Sequence, residues 1–251
     1  MASVKRHGRD RVESRRRQAV GEDIASIRDL GLNLLEGIQD KQGRTVVRRN
    51  PLKAFRLLHQ AALMGDVMAA SSVGYAYDRG LGTKRDVRQA LHWYRRAADM
   101  GSPTAATNTA TIYRDARKFR LAFQWWKRSA EMNDDDAAVD AGYCYLYRIG
   151  VRRSPVLARR MLKRASASRD ISEYGREEAL YLRALDFIDN GKTRLATPLL
   201  ARASADGDFP EAASVLKQIR SGAAVVPCRC RRHIHKHLPG HAKCPLHSRS
   251  G

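Results

Sequence analysis

The chain is 251 residues long, 43% hydrophobic and 29% charged, which suits one ordinary domain with tails or one short repeat array and argues against a wholly disordered polypeptide. Forty-seven Lys and Arg against 26 Asp and Glu give a formal charge of +21, enough to influence solubility and the rate of meeting acidic partners. No apolar run approaches the roughly 20 residues that cross a bilayer, and the opening MASVKRHGRDRVESRRRQ lacks an apolar signal core, so neither a membrane span nor secretion is expected.

Residues 1–20 hold seven basic side chains against Asp10 and Glu13, and 1–21 is read as a disordered basic arm. From 22 to 220 the pattern is helical. A unit near 26–65 carries Leu30-Gly31, Asn50, Ala54 and Ala61-Ala62, with a long basic loop from Asp40 to Arg49. A helix is predicted over Val67–Tyr77, in which Gly74 leaves room for a partner backbone and after which Gly80 and Gly82 stop the chain. Next, Ala90, Trp93, Tyr94 and Ala97 stand at i, i+3, i+4 and i+7, one stripe of an amphipathic helix, with Arg88, Gln89, Arg95, Arg96 and Asp99 opposite. Asp86 is its N-cap and Gly101 its closing residue. The following unit keeps Tyr113, Ala122, Trp125-Trp126 and Ala130 but lacks four residues between its helices, so a tight turn is predicted. A third has Gly142, Tyr145, Gly150 and Ala158; another, near 172–207, has Tyr181, Ala196 and Ala203; 209–220 is read as one capping helix.

These units are copies of one another. The phrase Ala61-Ala62-Leu63-Met64-Gly65 returns 36 residues later as Ala97-Ala98-Asp99-Met100-Gly101, and after 32 more as Ser129-Ala130-Glu131-Met132-Asn133. An alanine precedes each phrase by seven residues (Ala54, Ala90, Ala122, and likewise Ala158 and Ala196), and a bulky pair precedes it by four. Neither helix of such a pair buries its stripe alone, so the units must stack. Val73-Gly74-Tyr75-Ala76-Tyr77-Asp78-Arg79-Gly80-Leu81-Gly82, followed by Asp86, Ala90, Trp93-Tyr94, Ala97-Ala98 and Gly101, closely resembles the Sel-one-like repeat, a relative of the tetratricopeptide repeat. The resemblance implies an all-α fold, a right-handed α/α superhelical solenoid of about five helix–turn–helix repeats over 22–220, whose surfaces serve as adaptors without catalysis.

Trp93, Trp125, Tyr77, Tyr113 and Tyr145 recur at repeat spacing and are expected in the core. Cys144 is read as a small buried hydrophobe, and His59 and His92 as exposed or half-exposed helix positions. Asp134-Asp135-Asp136 is read as charge complementing a helix N-terminus. Glu177 and Glu178 diverge on a helix, and no GxSxG, P-loop, dinucleotide fingerprint or HExxH is present, so no enzyme is expected.

The segment 221–251 is basic and without an acid, and between Cys228 and His247 it holds three of the four cysteines and five of the eight histidines. Without an export signal, cysteines fit a reducing compartment, the cytoplasm or, in a eukaryote, the nucleus. Cys228 and Cys230, with Cys244 and His247, make two short ligand pairs suited to one structural zinc ion; His241 is the alternative fourth ligand. A metal would supply folding energy that so short a segment cannot find in a core, while a disordered basic tail is the competing reading. The tail contains no carboxylate to act as a general base, so a catalytic zinc is not expected.

The function expected from these features is a non-catalytic protein–protein interaction scaffold holding an acidic protein or peptide. The alternative is a nucleic-acid-associated protein that contacts phosphates through its basic ends and a zinc-stabilised tail. Neither end carries an aromatic residue for base stacking.

Overall fold

The computed structural model describes residues 23–39, 41–205, 209–223 and 225, and among them eleven helices follow one another in helix–turn–helix pairs. The first helices of the pairs are α1 (23–36), α3 (Val67–Arg79), α5 (Pro103–Asp115), α7 (Asp135–Tyr147) and α9 (Glu173–Asp189). Their partners are α2 (Pro51–Leu63), α4 (Val87–Asp99), α6 (Phe119–Glu131), α8 (Pro155–Ala167) and α10 (Thr193–Ala203), and α11 (Pro210–Arg220) ends the series. This is the all-α repeat solenoid class that the sequence pattern implies. No helix among the described residues is long and apolar enough to cross a membrane.

Helix starts show why the period is regular. Asp66, Asp134 and Ser172 open α3, α7 and α9, and their side chains accept from the backbone N–H groups of Ala69, Ala137 and Gly175. Ser102 does the same for Ala105 at the start of α5, at 3.2 Å. Each such cap satisfies an otherwise orphaned donor and contributes about 1 kcal/mol over alanine. Among the second helices, Asn50 and Asp86 cap α2 and α4, but Lys118, Ser154 and Lys192 make no side-chain cap bond. A backbone bond pins those turns instead. The N–H groups of Lys118, Ser154 and Lys192 donate to the carbonyls of Tyr113, Tyr145 and Phe187, as that of Asp86 does to Tyr77.

The chain divides into two compact units, 1–105 and 106–251. In the first, α2 packs on α3 and α3 on α4. Gly74 lies against the ring of Tyr94, where a Cβ would fall 2.6 Å from a ring carbon. The room it leaves is therefore filled by an aromatic side chain, not by a partner backbone as expected from sequence. Phe55 meets Tyr77 edge-on at 5.3 Å between ring centroids. The basic loop after α1 differs from the all-helical expectation. Ile38–Gln39 (β1) pairs antiparallel with Thr45–Val47 (β2), a β-branched run suited to a strand.

In the second unit α7 packs on α6, α8 and α9, α9 also packs on α8 and α10, and α10 packs on α11. Contacts of the first unit recur with the same partners shifted by two repeats. Gly142 lies against Leu162, and Phe123 meets Tyr145 edge-on at 5.0 Å. The α5–α6 turn is the three residues 116–118, tight as its shortened sequence predicts, and Arg117 adopts φ 58 to make it. Leu180, Leu185, Leu200, Phe209 and Val215 form the core that joins α9, α10 and α11.

Candidate functional site

The recurring residues are mostly packing elements. Ala90, Trp93, Tyr94, Ala97, Ala98, Ala122 and Ala158 are buried, as are Tyr113 and Tyr145. Of the aromatic pair in α6 it is Trp126 that is fully buried. Trp125 is half-buried, contrary to its expected core position, and lies under the Arg128 guanidinium at 5.0 Å, as Trp93 lies under Arg96 at 5.1 Å. Tyr77 is likewise half-buried. Cys144 is buried; His59 is half-buried against Trp93, and His92 is exposed. The tail residues Cys228, Cys230, His241, Cys244 and His247 lie outside the described residues. Among the described residues no group of three or more His, Cys, Asp or Glu could hold a metal ion.

The Asp134–Asp136 run does more than complement a helix dipole. Asp134 caps α7 and accepts from the hydroxyls of Thr107 and Ser129 at 2.9 Å. Asp135 pairs with Arg164 at 3.2 Å. Asp136 accepts from the N–H and hydroxyl of Ser172, tying the start of α7 to the start of α9.

Side chains of differing chemistry converge where α7, α8 and α9 meet. Two adjoining clefts share Leu146 and Asp186. One, of about 260 Å³, is lined also by Arg159, Leu162, Lys163, Arg183 and Phe187. The other, of about 240 Å³, adds Tyr147, Arg153 and Asp189. Asp186 is 6% exposed and is held by Arg159, whose Nε and Nη2 donate at 2.6 and 3.2 Å. The bond to Asp186 and its charge push the Arg159 pKa up. Arg183 is set differently. Its Nη1 donates to the Ser166 hydroxyl at 2.7 Å, while burial and then the nearby Arg202 charge push its pKa down. Neither Arg183 nor Lys163 pairs with a carboxylate among the described residues. The larger cleft thus joins the apolar Leu146 and Leu162 to the Arg159–Asp186 pair and to two further cations, Lys163 and Arg183.

Sequence reasoning passed over these residues because single basic positions on a helix usually form a solvated face. It also placed Glu177 and Glu178 as diverging, and both are nevertheless buried, because α7, α8 and α10 surround α9. The usable signal was the seventeen-residue α9 itself, which mixes acids with apolar residues on more than one face.

The profile of the Sel1 repeat family matches the sequence over residues 25–66, 67–102, 112–134 and 135–170. A protective antigen of uropathogenic Escherichia coli, c5321, which displays an SLR fold, superposes with a TM-score of 0.70 at 19% identity, over 85% of this chain and 44% of that one. The chain therefore spans less than half the length of that protein. A Sel1 repeat protein from Oxalobacter formigenes superposes with a TM-score of 0.66 at 21% identity, over 86% of this chain and 87% of that one. At these identities the likeness is one of fold. No curated protein matches the sequence.

Proposed function

Since the chain belongs to the Sel1 repeat family, whose members are generally protein–protein interaction scaffolds, we propose that it is a non-catalytic adaptor holding an acidic protein or peptide. The observation that carries this reading is the surplus of positive charge, +21 over the whole chain, together with Arg183 and Lys163, which pair with no acid among the described residues, at a cleft between helices. Such a surface attracts acidic segments at long range and orders them at short range.

The test is a titration of the full chain with a glutamate-rich peptide bearing a photo-crosslinker, at about 50 mM and about 200 mM salt, beside a DNA duplex of matched charge. The adaptor reading expects peptide binding that weakens with salt and crosslinks that map to the helices. Absence of peptide binding at the lower salt would refute it. Tighter binding of the duplex, with crosslinks confined to the basic ends, would favour phosphate recognition instead.

A further inference from the structure

We propose that the cleft rimmed by Arg159, Lys163 and Arg183 receives an acidic side chain of the partner, its carboxylate taken by Arg183 and Lys163. This inference deepens the adaptor reading and rests on it.

Comparison with neighbouring repeats shows how the site arises. The fifth residue of α2 is Phe55 and that of α6 is Phe123, and each meets a tyrosine of the following helix edge-on. The fifth residue of α8 is Arg159, which instead reaches the buried Asp186 of the following helix. Where α2 and α6 make an aromatic contact with the following helix, α8 makes an ionic one, and the neighbouring space is a cleft of about 260 Å³. Lys163 departs from the pattern as well. Its counterpart in α6, Lys127, pairs with Glu131 one turn later at 3.3 Å, whereas the position one turn after Lys163 is Ala167.

Arg183 supplies the third departure. Arg28, Arg159 and Arg164 each meet an aspartate of another helix or its cap, at 3.0, 2.6 and 3.2 Å. Arg183 is half-buried, has five donors of which one reaches the Ser166 hydroxyl, and faces the like charge of Arg202. A partly desolvated cation without a counter-charge is costly, and an incoming carboxylate relieves both the desolvation and the repulsion. The volume corresponds to on the order of eight waters at ~30 Å³ each, ample for a glutamate or aspartate side chain. Its floor of Leu146 and Leu162, with Phe187 beside it, suits the methylene stem of an acidic side chain better than a bare phosphodiester.

Fluorescence anisotropy on the full chain with a labelled glutamate-rich peptide tests the assignment. Arg183→Gln and Lys163→Gln are each expected to weaken binding about tenfold, corresponding to ~1.4 kcal/mol. Arg88→Gln, the same charge change at an exposed position in α4, is expected to change it less than about twofold. Arg183→Glu is expected to abolish binding of the acidic peptide. If Arg88→Gln weakens binding as much as Arg183→Gln, attraction is diffuse and the cleft is not the site, although the acidic-partner reading survives. If the unmodified chain binds no acidic peptide, both fall. A matched oligonucleotide that binds more tightly and loses the same factor in the variants would overturn the peptide assignment. Should Arg183→Gln lose its helical circular dichroism, Lys163→Gln, an exposed residue, decides the question.

Discussion

Replacing Gly82 by alanine tests how the loop of one repeat is seated on the helix before it. Gly82 has φ 69 and presses on the Pro51 carbonyl, so a Cβ there would stand 1.9 Å from the oxygen. Two residues earlier Gly80, with φ 72, has its nearest neighbour at 3.5 Å. Alanine at either position meets the left-handed backbone cost of about 1–2 kcal/mol. At Gly82 it must also lift the loop off the start of α2, and because the obstacle is backbone no rotamer change relieves it; overpacking of this kind adds about 1–3 kcal/mol. The expected loss is therefore about 1–2 kcal/mol for Gly80→Ala and about 2–5 kcal/mol for Gly82→Ala. Gly150, whose Cβ would stand 2.3 Å from the Phe119 carbonyl oxygen, is expected to behave like Gly82. Arg148 holds the place of Gly80 two repeats later at φ 60, and Arg148→Gly is expected to gain about 1 kcal/mol. Urea unfolding followed by far-ultraviolet circular dichroism reads these changes as midpoint shifts. Equal losses for Gly80→Ala and Gly82→Ala would refute the seating of the loop on α2.

Trp93→Ala is expected to cost about 3–5 kcal/mol and the half-exposed Trp125→Ala clearly less, by the same measurement; a loss below about 1 kcal/mol for Trp93 would remove it from the core. Burial, followed by the charge of Asp78, pushes the Tyr94 phenol up, so the fold requires it neutral. Its contribution is complete below the ordinary tyrosine value of about 10 and falls above it, where the unfolded chain ionises first; Tyr94→Phe is expected to flatten that alkaline fall in urea midpoints. For the tail, the pairs Cys228, Cys230 and Cys244, His247 lead to an expectation of about one zinc per purified chain, lost in Cys244→Ser; less than about 0.3 zinc per chain would overturn it.

The fold was legible because each repeat solves the same packing problem with the same residues. Gly74 with Tyr94 and Gly142 with Leu162 are one contact made twice, so small and bulky residues recur at one spacing. What the spacing could not reveal was the identity of the neighbour. A glycine announces that something comes close, and whether that is a ring or a backbone depends on how two helices cross. Trp125 and Trp126 posed a similar ambiguity, since adjacent residues of an amphipathic helix both fit a wide apolar stripe, and only the partner surface decides which is covered. The β1–β2 ribbon was hidden in a loop whose Thr45-Val46-Val47 run is too short to signal a strand alone.

The cationic cleft was missed for a deeper reason. A search for periodicity weights the positions that recur, and those positions build the core shared by every repeat. Arg159 stands where α2 and α6 carry phenylalanine, and Ala167 where α6 carries the acid that pairs the corresponding lysine. Neither change disturbs the helix pairing, because α8 still presents Ala158, Leu162 and Ala165 to its neighbours. Such positions are free to vary, and in α8 the residues Arg159 and Lys163 both line the cleft between α7, α8 and α9. Restoring the repeat pattern there by Arg159→Phe together with Ala167→Glu should draw Lys163 away from the site and keep the helix pairing, but it leaves the buried Asp186 without Arg159, so urea midpoints are read beside the binding. The double variant carries one positive charge fewer and one negative charge more than the parent, and Arg88→Gln with Gln89→Glu makes the same charge change elsewhere. A fall in glutamate-peptide affinity of about tenfold beyond that control, with circular dichroism unchanged, is the outcome expected if departures from the repeat carry the recognition. Equal losses in the two double variants would show that overall charge, and not the broken period, draws the partner in.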